Sequence, residues 1–230
     1  MESQRLFIKY RPKNFEGVVG QEKAVRQIRA LLARGWGGRA WWFSGASGVG
    51  KSTLAQIIAD LGADELYTLE IAGDELTTDC LDDFRRNSAQ TAMDFHGRGR
   101  GGRCLIVNEA HGIRPAIIRK LLVMLEEQLP AHVVLIFTTT SIAQTDIFDA
   151  RIDASPLLSR CSVIELTNQG LADKFAALAW DIAQKEHLDG GLNGPGIKSC
   201  KKLLVKNRNN LRHVLNEIER GALEEMHNSK

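Results

Sequence analysis

The chain has 230 residues, a 43% apolar share and four cysteines, which is length enough for a sizeable core and an ordinary composition for a globular protein. A formal net charge of +2 excludes a strongly basic or acidic chain, so any nucleic-acid surface has to be local. The start, Met-Glu-Ser-Gln-Arg, has no signal-type apolar region, and no apolar run reaches the roughly 18 residues of a membrane span; both predict a cytoplasmic protein with no membrane partner.

Phe7-Ile8-Lys9-Tyr10-Arg11-Pro12 and Val18-Val19-Gly20-Gln21 come first, followed by Val25, Ile28, Leu31 and Leu32 at helical spacing. Arg39-Ala40-Trp41-Trp42-Phe43-Ser44 reads as a buried strand. It runs into Gly45-Ala46-Ser47-Gly48-Val49-Gly50-Lys51-Ser52-Thr53, a complete G-x-x-x-x-G-K-[ST] phosphate-binding loop. Glycines suit this chemistry because successive backbone N–H groups must turn inward on a phosphate, which a Cβ would obstruct. Lys51 adds a point charge and Ser52 a hydroxyl for Mg²⁺. A helix beginning near Lys51, apolar at Leu54, Ile57 and Ile58, aims its positive end at the same oxygens.

Tyr67 to Ile71 predicts a strand, and Thr77 to Ala92 a helix capped by Thr77 or Thr78. The loop Gly97-Arg98-Gly99-Arg100-Gly101-Gly102-Arg103 breaks the pattern before the strand Cys104-Leu105-Ile106-Val107, which ends in Asn108-Glu109-Ala110-His111. A helix is predicted from Pro115 to Gln128. Next comes a buried strand, His132 to Phe137, that runs into Thr138, Thr139, Thr140 and Ser141. Residues 146–156 are polar, and Leu157 to Cys161 lead into a short strand, Val163 to Leu166. Beyond Asn168 only helical segments are visible, near 170–187, 196–205 and 208–226. Strands alternating with helices predict an α/β fold with a parallel sheet, with a core over residues 1–167 and a helical domain over 168–230. Cys80, Cys104, Cys161 and Cys200 lie far apart with no C-x-x-C pair, which predicts free thiols.

Glu109 follows a buried strand, so it emerges at the sheet's C-terminal edge, where a carboxylate can orient the water that attacks a γ-phosphate. It can equally be a solvated loop acid. Asn108 can accept from a Mg²⁺-bound water but brings no negative charge. A hydroxyl among Thr138, Thr139 and Thr140 can touch the γ-phosphate or the water, although threonine also suits strand ends on propensity. His111 reads as structural or exposed. Arg98, Arg100 and Arg103, and the basic run between Lys198 and Arg212, are either phosphate contacts or solvated faces.

Tyr10-Arg11-Pro12 with Val18-Val19-Gly20-Gln21, the phosphate loop, Asn108-Glu109-Ala110-His111, the threonines at 138–140, Ser159-Arg160-Cys161 and Asn210-Leu211-Arg212 stand in the order of a clamp-loader AAA+ ATPase. Over almost its whole length the chain resembles the replication factor C small subunit or bacterial polymerase III clamp-loader type. The resemblance implies an AAA+ P-loop NTPase fold, with a parallel αβα core and a small helical lid. It implies ATP and Mg²⁺ as cofactors and ATP hydrolysis as the reaction. The implied partners are a sliding clamp, primer–template DNA and other clamp-loader subunits in a homo- or hetero-oligomer. Tyr10, Arg11 and Val19 would lie near the adenine. Thr140 would be the sensor 1 residue, Arg212 the sensor 2 arginine of the lid, and Arg160 the arginine finger, although a surface arginine at a helix end is the plainer reading of Arg160 by itself. Arg85, Arg86, Arg114 or Arg119 would face DNA on the ring's inner wall.

The chain departs from the family pattern in three ways. Asn108 stands where the Walker B motif has Asp, the 230 residues hold no counterpart of the helical collar, and the bacterial subunits' zinc cysteines are not among them. The resemblance thus implies that Asn108→Asp tightens Mg²⁺-dependent nucleotide binding and raises turnover. Two other readings stay open: a non-hydrolysing nucleotide-binding scaffold subunit, and another AAA+ ATPase of replication or repair, such as a helicase loader.

Overall fold

The computed structural model describes residues 4–94, 97, 99–140, 155–190 and 196–228. Its elements run in chain order as α1 (Leu6–Lys9), α2 (Glu22–Leu32), β1 (Arg39–Ser44), α3 (Lys51–Gly62), β2 (Ala63–Ala72), α4 (Thr78–Asn87), β3 (Gly102–Asn108), α5 (Pro115–Glu126), β4 (Val133–Thr139), α6 (Ser155–Ser159), β5 (Cys161–Glu165), α7 (Ala172–Lys185), α8 (Gly196–Lys206), α9 (Leu211–Glu219) and α10 (Ala222–Asn228). Contacts divide the chain into two compact units, one of residues 23–45 and 51–166, the other of residues 1–22, 46–50 and 167–230. The division expected after residue 167 thus differs from the contact grouping, in which the first 22 residues and the loop 46–50 go with the C-terminal helices.

In the larger unit the strands form a five-stranded parallel sheet in the order β2-β3-β4-β1-β5. Strand residues alternate between faces. Ala40, Trp42, Leu105, Val107, Val133, Leu135 and Phe137 point one way, into a core completed by Leu81 and Phe84 of α4, Ile117, Ile118 and Leu121 of α5 and Leu157 of α6. Trp41, Phe43, Cys104, Ile106, Val134 and Ile136 point the other way and are also buried. Both faces being covered is why these strands read as continuous apolar runs. The register sets Ser44 level with Thr139, Val107 with Phe137 and Ala72 with Asn108, so four strands end at one edge.

Element ends follow local chemistry. Thr77 caps α4, its side chain accepting from Cys80 N at 3.2 Å. Pro115 opens α5, where a missing N–H costs nothing. The helix expected through Ala92 stops at Asn87, and the one expected through Gln128 stops at Glu126, with Gln128 in the left-handed region at φ 61°. Strand β2 begins four residues before the expected strand, and β5 begins at Cys161 instead of Val163.

In the smaller unit, Phe175, Ala179 and Ile182 of α7, Cys200 and Leu204 of α8, Val214, Leu215 and Ile218 of α9, Leu223 of α10 and Leu6 of α1 are buried. The backbone N–H of Leu6 donates to the Glu219 carboxylate. The single helix expected over 208–226 is two: Arg208 and Asn209 have φ of 53° and 59°, which excludes them from a right-handed helix, and Gly221 at φ 87° ends α9.

Candidate functional site

The buried strand β1 delivers Gly45, and α3 begins at Lys51, so the chain between has six residues to reverse onto a helix. Gly45, Gly48 and Gly50 have φ of 146°, 79° and 108°, values that side chains other than glycine rarely adopt. At Gly50 nothing lies within 4 Å of where a Cβ would be, so backbone rotation, not crowding, requires glycine there. A Cβ on Gly48 would lie 2.2 Å from Asn210 Oδ1. The first N–H groups of α3, beginning with Lys51, Ser52 and Thr53, have no intrahelical acceptor and carry the positive end of the helix dipole. Lys51 is buried, and its Nζ donates to the Gly45 carbonyl at 2.8 Å, closing the loop on itself. Val49 is buried, Ser52 and Thr53 are half-buried, and Ser47 is exposed.

At the same sheet edge, Asn108 and Glu109 leave β3 beside the end of β4. Thr138 Oγ1 donates to Asn108 Oδ1 at 2.9 Å, and Asn108 Nδ2 donates to Glu70 Oε1 at 2.6 Å. Thr140 Oγ1 donates to Glu109 Oε2 at 3.2 Å. His111 Nδ1 lies 3.4 Å from both Glu109 Oε2 and Thr139 Oγ1. The three threonines therefore diverge: Thr138 meets Asn108, Thr139 is fully buried, and Thr140 meets Glu109. Glu109 sits at φ 50° and ψ 52°, left-handed backbone that a non-glycine residue adopts at a cost of about 1–2 kcal/mol. Gly73 holds this turn, its N–H donating to Asn108 O at 2.7 Å, and a Cβ on it would lie 2.6 Å from Glu109 O.

In the smaller unit, Gln21 is buried and spans two segments. Its Nε2 donates to Val49 O at 3.2 Å and Thr167 O at 2.9 Å, while its Oε1 accepts from Thr167 N. Asn210 caps α9, accepting from His213 N at 3.1 Å, and its side chain lies against Gly48. Tyr10 Oη donates to Glu186, which Lys9 also engages at 2.6 Å. These bonds from Lys9 and Tyr10 hold the Glu186 carboxyl below its ordinary range, and the bond to Glu186 raises Tyr10. Arg11 and Val19 are half-buried, and the exposed Arg212 places its guanidinium 5.4 Å from the Phe7 ring centroid. In the sequence Gln21 and Asn210 are motif letters with no role attached, and Glu186 and Glu70 carry no motif signal.

Arg160 directly follows α6. Its Nη2 pairs with Glu126 Oε1 at 2.6 Å and its Nη1 donates to Pro156 O at 2.8 Å, with a third of the side chain exposed. Of the arginines considered for DNA, Arg85 pairs with Glu127, Arg86 with Asp83, and Arg103 lies 4.8 Å from the Tyr67 ring centroid; Arg98 falls outside the described residues. All four cysteines are free, and burial pushes Cys161 up to about 12 and Cys200 up to about 11, so neither is a thiolate at neutral pH. No helix among the described residues is long and apolar enough to cross a membrane.

Residues 41–166 match the model of the ATPase family associated with various cellular activities, AAA. The chain belongs to the AAA family. Its relatives among curated proteins agree with the resemblance to clamp-loader ATPases. The replication factor C large subunit of Thermococcus kodakarensis is 31% identical over 124 residues, covering 52% of this chain and 24% of its own. The DNA polymerase III subunit gamma/tau of Mycoplasma pneumoniae is 27% identical over 207 residues, covering 80% of this chain and 28% of its own. That of Mycobacterium bovis is 30% identical over 158 residues, covering 59% and 27%. This AAA-family chain thus spans about a quarter of the length of these relatives. The Thermotoga maritima RuvB Holliday junction branch migration motor shares the fold, with a TM-score of 0.66 at 21% identity over 92% of this chain and 64% of its own.

Proposed function

We propose that this protein is a cytoplasmic, clamp-loader-like AAA+ subunit that binds ATP with Mg²⁺ and couples nucleotide binding and hydrolysis to loading a sliding clamp on primer–template DNA. It does so in an oligomer with other subunits. The observation that carries the reading is that, within the larger unit, β1 delivers Gly45 and α3 begins at Lys51 at the sheet edge where Thr140 holds the Glu109 carboxylate. The names of the curated relatives support the replication setting.

In this reading the loop from Gly45 to Thr53 binds phosphate oxygens through its N–H groups, and Lys51 turns its ammonium from Gly45 O to the β- and γ-phosphates. Tyr10, Arg11 and Val19 receive the adenine, and Arg212 approaches the phosphates from the lid. The donors suit Mg²⁺, which prefers oxygen and keeps several waters: the Ser52 hydroxyl and the Asn108 amide oxygen, which has a second lone pair left. When bound, Mg²⁺ neutralises charge on the β- and γ-oxygens. Glu109 then orients the attacking water and takes its proton, with Thr140 fixing the carboxylate. Arg160 serves a neighbouring subunit's nucleotide.

Steady-state ATP turnover by the purified protein is measured alone, with primed DNA, and with primed DNA plus the sliding clamp of the same organism. The expected result is turnover that rises on adding DNA and clamp together; turnover indifferent to both contradicts the clamp-loading role. Asn108 favours a second reading, a scaffold subunit that binds ATP without hydrolysing it. ATP binding with no turnover under any of these conditions selects it.

A further inference from the structure

We infer that Glu70 supplies the negative charge that the Walker B position lacks, acting through Asn108 as a positioning residue for the metal-linked side of the nucleotide site. The inference rests on the nucleotide binding proposed above.

Glu70 comes from β2, one strand beyond β3. Ala72 stands opposite Asn108 and Glu70 opposite Ile106, so with alternation by two, Glu70, Ile106 and Asn108 share one sheet face. It is the face away from α4 and α5, since Leu105 and Val107 point into that core. The amide of Asn108 bridges the two neighbours, Nδ2 donating to Glu70 Oε1 at 2.6 Å and Oδ1 accepting from Thr138 Oγ1 at 2.9 Å. A carboxylate only accepts, so Glu70 fixes which way the amide faces: nitrogen towards β2, oxygen towards β4 and the end of the sheet where the phosphate loop begins.

Three consequences follow from that orientation. A charged acceptor on the donor side of an amide polarises it and makes its oxygen a better acceptor, as outer partners do for metal ligands generally. Among the described residues no lysine or arginine pairs with Glu70, so its charge is not neutralised locally. Asp at 108 would also set two carboxylates at hydrogen-bond distance with no proton donor between them. Residues 70 and 108 are therefore complementary: one negative charge and one amide, with the charge on β2 instead of β3. This revises the expectation from sequence, because Asn108→Asp alone now gains nothing while Glu70 stays in place.

The test is titration of a fluorescent ATP analogue at graded Mg²⁺, and in EDTA, with wild type, Glu70→Gln, Asn108→Asp and the double variant. Glu70→Gln is expected to raise the Mg²⁺ concentration at half effect by about 10–100-fold, the usual scale for losing an outer partner of a metal site, with affinity in EDTA unchanged. Asn108→Asp is not expected to improve on wild type, whereas the double variant returns towards the wild-type Mg²⁺ response. An unchanged midpoint in Glu70→Gln, a double variant no better than Glu70→Gln, or equal losses with and without Mg²⁺ overturns the role of Glu70 and leaves nucleotide binding standing. Wild type that binds no analogue in either condition overturns both.

Discussion

Arg160→Ala is expected to lower ATP turnover by the assembled protein about 10³–10⁵-fold, the range for an arginine finger supplied to a phosphoryl-transfer site, while ATP affinity stays nearly unchanged. Charge develops on the γ-phosphoryl oxygens, and Lys51 alone does not neutralise it. Within its own chain Arg160 is engaged by Glu126 and by Pro156 O, which at first weighs against a role elsewhere. The magnitudes decide otherwise. A partly exposed ion pair of this kind contributes about 0–1 kcal/mol, whereas the expected rate factor corresponds to roughly 4–7 kcal/mol, so leaving Glu126 costs little by comparison. Glu126→Ala is accordingly expected to be almost silent. Mixing separates action on a neighbour from action on the same subunit, because Lys51→Ala subunits keep the arginine and Arg160→Ala subunits keep the phosphate loop. Regained turnover in the mixture supports the neighbour. If native turnover is absent, nucleotide-dependent assembly is the quantity to follow, and no rescue of either at any ratio contradicts action in trans.

Glu109→Gln is expected to reduce turnover about 10²–10⁴-fold, since the amide keeps the shape but cannot accept the proton of the attacking water. ATP should still bind, because the phosphate loop is untouched. The side chain and the backbone of Glu109 are each held by one neighbour. Thr140 Oγ1 donates to Oε2, and Gly73 packs so close to the Glu109 carbonyl that no side chain fits there. Single-turnover assays with pre-bound ATP read the chemical step without the binding step. A Gln variant that hydrolyses at the wild-type rate would remove Glu109 from the mechanism.

Strands β1, β3 and β4 were legible in the sequence because a sheet covered on both faces shows as unbroken apolar runs, and the glycine turn from β1 into α3 was legible because its glycine spacing is fixed. The first half of β2 was not, since Asp64 and Glu65 lie on an edge strand half exposed to water and carry no apolar alternation. The break between α9 and α10 turns on one residue, Gly221, inside an otherwise helical pattern. The grouping of residues 1–22 with the C-terminal helices depends on contacts remote in sequence, such as Leu6 with Glu219 and Gln21 with Thr167, which no local pattern encodes. In the candidate site, Asn108, Glu109 and Thr140 could be named because they follow buried strands. Glu70 could not, because a lone acid on an edge strand looks like any solvated charge until its hydrogen bond to Asn108 is seen.

Equilibrium titration of wild type and Lys51→Ala with a fluorescent ATP analogue in Mg²⁺ tests phosphate binding by the Gly45 to Thr53 loop most directly. Two charge-assisted contacts from the ammonium are together worth about 3 kcal/mol or more, so wild type should saturate and Lys51→Ala should bind at least about 100-fold more weakly. Equal affinity in the two proteins, or no binding by wild type, would contradict nucleotide binding at this loop and every role assigned around it.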